Sequence, residues 1–261
     1  MRRNGLEGGQ YMEPYAGGAG VALHLLYEGV VSHVHINDTD QALHDFWVVA
    51  TKQNRKLVRM VESEPVTIEA WHHWRDVMLG KVRAPLLDRG FATLFLNRTN
   101  RSGILKGGVI GGKEQSGAYK LDARFKPDVL VRRLELLGKH SVNISVYGED
   151  ALSLLKRSSK IMPRRALVYL DPPYYVKGQG LYRNFYAHAD HVAIARYIQS
   201  QAFKRPWLVS YDDAPEIRSM YAKSFGMGYG LHYSAQERYV GSEVMFFGPG
   251  LIPGAGEPLA A

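Results

Sequence analysis

Short hydrophobic runs alternate with amphipathic stretches along most of the chain. Seven runs are dense in Val, Ile, Leu, Tyr and Phe, as buried strands are: 10–15, 32–37, 142–147, 166–171, 206–211, 230–235 and 243–247. Helical patterns occupy 20–28, 39–61, 149–158, 188–202 and 214–223 between them. Because a strand, a helix and a second strand in succession favour parallel pairing, we predict an α/β sheet. No helix fits between the last two strands, which predicts an antiparallel hairpin at the sheet edge.

The segment from 52 to 139 interrupts this alternation. Helical patterns over 67–79, 86–97 and 125–138 surround a loop-like stretch, 98–120, that contains six glycines and five basic residues. A loop of this length inside a compact domain is typically functional or mobile. We therefore predict a main α/β domain formed by residues 1–51 and 140–261, with residues 52–139 as an inserted region.

The distribution of charge changes this picture. The chain contains 33 Lys+Arg and 25 Asp+Glu, and residues 81–140 hold 13 basic against 5 acidic residues, so the other residues hold 20 of each. The whole excess therefore lies in one segment, which indicates either a polyanion-binding surface or a solvated basic face. The chain has no cysteine, which excludes disulfides and thiolate sites. No apolar run approaches the roughly 18 residues that span a bilayer, and the N-terminus lacks the apolar stretch of a signal peptide, so we expect a cytoplasmic protein without a membrane partner.

The sharpest chemical signal is ALVYLDPPYY at 166–175. A buried strand delivers Asp171 to its carboxyl end, where open α/β sheets bind ligands. Pro172 and Pro173 then remove two backbone donors, and Tyr174 offers an aromatic face. This combination predicts a pocket for a planar heterocycle that carries an amino group. A strand-ending turn with an N-capping aspartate is the alternative.

Other polar or glycine-rich strand ends are expected at the same edge. The stretch YMEPYAGGAG at 11–20 lets a ligand approach the backbone, and its acidic Glu13 suits a cation rather than a phosphate. Asp38 ends the second strand and Asp150 follows the third, where a carboxylate either accepts a ribose hydroxyl or caps the next helix. Several such ends on one edge favour a ligand site.

In order, EPYAGGAG, IND, LNRT, GED and LDPPYY resemble the motifs of the Dam-type (D12 class) DNA adenine-N6 methyltransferases, from about residue 10 to residue 247. The resemblance implies a seven-stranded Rossmann-like S-adenosylmethionine-dependent methyltransferase sheet with a mainly helical inserted target-recognition domain. It implies DNA as partner, S-adenosylmethionine as cofactor, and methyl transfer to the N6 of a flipped-out adenine, as in DNA methylation and restriction-modification.

The resemblance also implies roles for individual residues. It assigns catalysis to Asp171, Pro172, Pro173 and Tyr174. It assigns cofactor binding to Glu13, Pro14, Tyr15, Gly17, Gly18, Gly20, Asp38, Asp150 and Asp171, with Asp38 on the ribose and Asp150 on the cofactor's adenine. It assigns DNA binding to Arg98, Asn100, Arg101, Lys106 and Lys113. No metal site is expected.

The start of the chain departs from the family. Members carry a Lys- and Gly-bearing motif before the glycine-rich loop, whereas GLEGG at 5–9 has no Lys. We therefore expect that a missing N-terminal segment or a partner chain completes the cofactor site, or else that the site is incomplete. Two alternatives stay open: methylation of another amino-bearing base, such as cytosine N4 or an RNA base, and a non-catalytic DNA-binding or complex-forming subunit that keeps the fold.

Overall fold

Seven strands form one sheet in the computed structural model, which describes residues 1–176, 186–233 and 239–254. They are β1 (Gln10–Glu13), β2 (His33–Asn37), β3 (Ile144–Tyr147), β4 (Ala166–Leu170), β5 (Trp207–Asp212), β6 (Phe225–Tyr233) and β7 (Tyr239–Phe247). Their order is β3-β2-β1-β4-β5-β7-β6. β1 is parallel to β2 and β4, β4 is parallel to β5, and β7 is antiparallel to β5 and β6. The predicted α/β sheet with a closing antiparallel hairpin is thereby confirmed.

The hairpin strands are longer than the sequence pattern predicts. β6 begins at Phe225 instead of 230, and β7 begins at Tyr239 instead of 243. Glycines concealed the start of β6, because Gly226 lacks the side chain that marks a strand pattern. A Cβ there would lie 2.8 Å from Cε1 of Phe246, so the missing side chain makes room for the ring. Ala235, the predicted end of β6, lies outside the described residues.

Helices connect the strands and fill the insertion. They are α1 (Gly20–Tyr27), α2 (Gln41–Lys52), α3 (Asn54–Ser63), α4 (Ile68–Met78), α5 (Leu86–Thr99), α6 (Pro127–Lys139), α7 (Ala151–Ile161), α8 (His188–Ile198) and α9 (Pro215–Met220). The single helix predicted over 39–61 was wrong, because the chain breaks at Gln53 between α2 and α3. The Asn54 amide donates to the Ala50 carbonyl at 3.0 Å and to the Leu134 carbonyl at 2.8 Å, which ties this break to α6.

The chain divides into two compact units. The first, Met1–Asp40 with Tyr147–Ala261, has an apolar core in which Leu154 and Leu155 of α7 and Ile194 of α8 join the buried side chains of the central strands. Within the described residues no helix is both long and apolar enough to cross a membrane. The packed core holds the central strands rigidly and so fixes the positions of the polar groups at their ends.

The second unit, Gln41–Val146, is mainly helical. α2 packs directly on α5, since a Cβ on Gly90 would lie 2.7 Å from Cγ2 of Val49. This packing is why the unit begins earlier than the insertion predicted from residue 52. Two short 3₁₀ turns lie at 101–103 and 121–123. Between them the chain has neither helix nor strand, as the glycine-rich pattern predicts. The role of this unit in target recognition stays a prediction.

Candidate active site

The strand order reverses between β1 and β4, and polar side chains gather at the carboxyl ends of the strands on either side. Glu13 ends β1, and Asp171 directly follows β4. Asp212 ends β5, where its register partner on β7 is Glu243. Open α/β sheets bind their ligands at such a switch point. Two of the predicted site residues, Glu13 and Asp171, therefore lie at this edge of the sheet, and their roles stay predictions.

Glu13 is an acid held in the interior. It is only 5% exposed, and its Oε1 accepts the Ala22 N–H at 3.0 Å. Burial raises the pKa of Glu13 to about 7, although hydrogen bonds from Tyr11 and Ala22 act in the opposite direction. A neighbouring cation would favour the charged form of this carboxyl group.

The glycine-rich loop after β1 is tied to β2 through Asp38. Gly17, with φ 47°, donates its N–H to Asp38 Oδ2 at 3.1 Å, and Oδ1 accepts the Asp40 N–H at 2.8 Å. Burial raises the pKa of Asp38, and these two hydrogen bonds partly offset that effect. A Cβ added at Gly17, Gly18 or Gly20 would meet nothing within 4 Å. The backbone of the loop is thus open to a ligand.

The side chain of Asn37, at the end of β2, forms hydrogen bonds to the segments that follow β1 and β3. Its amide nitrogen donates to the Pro14 carbonyl at 2.8 Å and to the Glu149 carbonyl at 3.0 Å, and its oxygen accepts the Glu149 N–H at 2.9 Å. Sequence reasoning did not give Asn37 a role. The signal was a second polar residue just before Asp38 at the end of an apolar strand.

Asp150 caps α7. Its Oδ1 accepts hydrogen bonds from the Ser153 N–H at 2.9 Å and from the Ser153 hydroxyl at 3.1 Å, and the residue is exposed. This is the capping role that the sequence left open. Contact with the cofactor's adenine stays a prediction for Asp150.

Asp171 stands at the end of a chain of hydroxyl groups. Ser210 donates its hydroxyl to Asp171 Oδ1 at 2.8 Å, and the Tyr169 hydroxyl lies 2.9 Å from Ser210 Oγ. Since the Ser210 proton is used on Asp171, Tyr169 must be the donor to Ser210. Burial, with a smaller contribution from Glu243, raises the pKa of Asp171, whereas Ser210 lowers it. Asp171 is nevertheless exposed to solvent, so its carboxylate is accessible to a ligand.

Two further acids hold the loop after Asp171. The Asp212 carboxylate accepts the Tyr175 N–H at 2.8 Å and the Val176 N–H at 2.8 Å. Tyr174 donates its hydroxyl to Glu243 Oε1 at 2.9 Å, which fixes its ring. The sequence motifs assigned no role to Asp212 or Glu243. Asp212 and Glu243 are paired across strands that lie far apart in the sequence, so the sequence around either residue does not indicate its role.

The two prolines differ in exposure but share the same loop. Pro172 is buried and Pro173 is partly buried. Among the described residues, nothing donates a hydrogen bond to the Pro172 carbonyl. In the glycine-rich stretch, Tyr15 donates its hydroxyl to the Tyr186 hydroxyl at 3.1 Å, and the two rings meet edge to face.

The predicted DNA-binding residues all lie in the second unit, but Asn100 does not face solvent. It is 1% exposed, and its Oδ1 accepts the Trp71 indole N–H at 2.7 Å. Its amide nitrogen donates to the carbonyls of Ile104 and Leu105, both at 2.9 Å. Because these bonds occupy the side chain, Asn100 is a brace for the loop, and we correct its assignment as a DNA contact.

The other four predicted DNA-binding residues are basic. Arg101, Lys106 and Lys113 are exposed, whereas Arg98 is partly buried. The three exposed residues can be reached by a polyanion at the surface, and DNA binding stays a prediction for them.

The described residues contain no group of three or more His, Asp or Glu that could hold a metal ion. The sequence matches the family described as D12 class N6 adenine-specific DNA methyltransferase over residues 3–239, and comparison with curated proteins gives no match. The chain therefore belongs to the D12 class of N6 adenine-specific DNA methyltransferases, which makes it a site-specific, adenine-specific DNA methyltransferase.

Proposed function

We propose that the chain transfers a methyl group from S-adenosylmethionine to the N6 of an adenine that is flipped out of duplex DNA. The single observation that carries this proposal is the accessible Asp171 carboxylate, held by Ser210 beside a Pro172 carbonyl with no donor among the described residues. DNA is the macromolecular partner, and the cytoplasm is the expected compartment.

Two acceptors at this position match an amino group with two N–H bonds. The N6 amine of adenine is a poor nucleophile because its lone pair is delocalised into the ring. Hydrogen bonds to Asp171 and to the Pro172 carbonyl draw the nitrogen toward tetrahedral geometry and free the lone pair. As N6 gains the methyl group it must lose a proton, and the raised pKa of Asp171 makes that carboxylate a better proton acceptor.

Tyr174 gives the flipped base a surface on which to stack. Its hydroxyl bond to Glu243 holds the ring in one place before a base arrives. Flipping costs a few kcal/mol, and stacking on an aromatic ring returns on the order of 1–3 kcal/mol. A preset ring therefore offsets much of the cost of removing the adenine from its duplex.

The residues at β1 and β2 fit S-adenosylmethionine. When bound, this cofactor supplies an electrophilic methyl group on a positively charged sulfur. Glu13 provides negative charge, Asp38 an acceptor for the ribose hydroxyls, and the open side of Gly17 and Gly18 the room for close approach. The buried acid at the end of β1 suits a cation and disfavours a phosphate.

The test is incubation of the full chain with duplex DNA and methyl-labelled S-adenosylmethionine, followed by nucleoside analysis. We expect label in N6-methyladenine, and a loss of turnover of about 10²-fold or more for Asp171→Asn, because the amide cannot take the proton. Asp213→Asn is the matched control, since Asp213 lies just past the end of β5 but pairs with Arg218. Label in cytosine, or near-normal turnover by Asp171→Asn, would overturn the proposal.

A further inference from the structure

Three arginines of the second unit come together, and none of them has an acidic partner among the described residues. Arg98 lies in the last turn of α5, Arg133 lies on α6, and Arg124 lies between these helices in the chain. Burial, together with the positive charges of Arg124 and Arg133, lowers the pKa of Arg98. In the part of the chain that the structure describes, none of the three guanidinium groups has a hydrogen bond or an ion pair.

Arg98 is the most constrained of the three. Its Nε is buried and lacks a hydrogen-bond partner among the described residues. Burying a cationic group is costly unless it is paired, and the charges that act on Arg98 within the described part of the chain are two further cations. Buried polar groups in folded proteins nearly always have a partner, so an orphaned donor among like charges indicates a missing anion.

The cluster is open to a large ligand. Arg124 and Arg133 are both exposed, so the anion can arrive from solvent. The loop that follows α5 approaches closely, since a Cβ on Gly103, where φ is +72°, would lie 3.4 Å from Nη2 of Arg124. The same loop carries the exposed Arg101. The arginines thus lie beside the loop whose basic residues were predicted to contact DNA.

We propose that Arg98, Arg124 and Arg133 form a binding site for one phosphate group of the DNA backbone. Guanidinium groups match phosphate oxygens with paired hydrogen bonds, and a phosphate placed among the three cations also offsets part of their mutual repulsion. The chemistry is shared with free phosphate, and the choice of DNA rests on the proposed function. The proposal assigns Arg98 to backbone contact and adds two residues that no motif singled out.

The first measurement is the affinity of the full chain, without cofactor, for several duplexes across a salt series. We expect Arg124→Ala and Arg133→Ala each to weaken binding about tenfold on every duplex and to reduce the salt slope by about one unit. Arg132→Ala is the matched control, because it removes the same charge from the neighbouring exposed position of α6. A loss equal to that of Arg132→Ala would overturn the proposal.

The second measurement separates ligand binding from a structural role. In low-salt, phosphate-free buffer we expect Arg133→Ala to raise the melting temperature, because it relieves repulsion around Arg98. Millimolar inorganic phosphate should stabilise the unaltered chain more than this variant. Stabilisation by phosphate with unchanged DNA affinity would indicate a small-anion site and overturn the assignment to DNA.

These readouts are independent of catalysis. If the chain bound DNA through the arginines but transferred no methyl group, the proposed function would fail while the phosphate site stood. If methyl transfer were intact and Arg124→Ala and Arg133→Ala bound DNA as Arg132→Ala does, the phosphate site alone would fail.

Discussion

Replacing Glu13 by Gln should make the stability of the folded chain less dependent on pH. The substitution preserves shape, and the amide oxygen can still accept the Ala22 N–H. What it removes is a buried carboxyl group whose pKa burial raises from 4.5 to about 7. A group with a raised folded pKa stabilises the folded state fully below its unfolded pKa, and this contribution is lost as the pH rises through the folded pKa.

The structure sets the size of the effect. The difference between 4.5 and about 7 corresponds to roughly 3 kcal/mol of unfolding free energy, most of it lost between pH 5 and pH 8. His35 acts in the opposite direction at lower pH. Burial and the neighbouring His33 lower its pKa to about 4, so its contribution is lost as the pH falls from about 6.5 toward 4. The unaltered chain and the Glu13→Gln variant both contain His35, so the difference between their stabilities isolates the contribution of Glu13.

The assay is urea unfolding followed by circular dichroism at pH values from 5 to 8, without cofactor. We expect the unaltered chain to lose stability relative to Glu13→Gln across this range. Glu28→Gln is the control, because it removes an exposed carboxyl group from the end of α1 in the same unit. Parallel curves for the unaltered chain and Glu13→Gln would refute the argument, since they would mean that Glu13 titrates alike in the folded and unfolded states.

Four further substitutions test the site and the loop. Ser210→Ala should lower kcat about tenfold with little change in the KM for DNA. It should also shift the acidic limb of the pH–rate profile to higher pH, because the Ser210 hydroxyl lowers the pKa of Asp171. Asp38→Ala should weaken S-adenosylmethionine binding in calorimetry by roughly 1.5–3 kcal/mol, and unchanged affinity would leave Asp38 as a clamp for Gly17. Arg101→Ala should alter the ranking of duplexes by affinity, whereas Lys106→Ala should weaken all of them evenly; equal losses for both would restrict the loop to backbone contacts.

The sequence predicted the sheet and the residues at strand ends well, because these depend on local patterns. Asp171 follows an apolar strand and precedes two prolines, so both its position and its surroundings are visible within ten residues. Ser210 gave no such signal. It looks like an ordinary small residue within β5, and it acquires meaning only because β4 and β5 pair in a register that sets it beside Asp171.

Long-range contacts also decided the two clearest corrections. The pattern over 39–61 is continuous, and the break at Gln53 depends on an Asn54 bond to α6, which lies 80 residues further along the chain. Asn100 carries the polarity of a surface residue, yet Trp71 on a different helix draws it into the interior. Neither partner can be identified from the neighbourhood of the residue itself.

The acidic groups at the sheet edge fit the proposed function only if basic residues that bind DNA lie elsewhere in the chain, and the basic excess lies in residues 81–140. Burial chiefly raises the pKa values of Glu13 and Asp171, and neighbouring carboxylates add to the effect, Asp171 on Glu13 and Glu243 on Asp171. Such an edge favours an amine or a sulfonium and repels phosphate. A DNA strand that presents a base there needs its phosphates held by other residues. The second unit has an exposed basic loop and three arginines without acidic partners among the described residues, and we propose that these groups hold the backbone. Under this proposal, the base and the backbone are bound by groups of opposite charge.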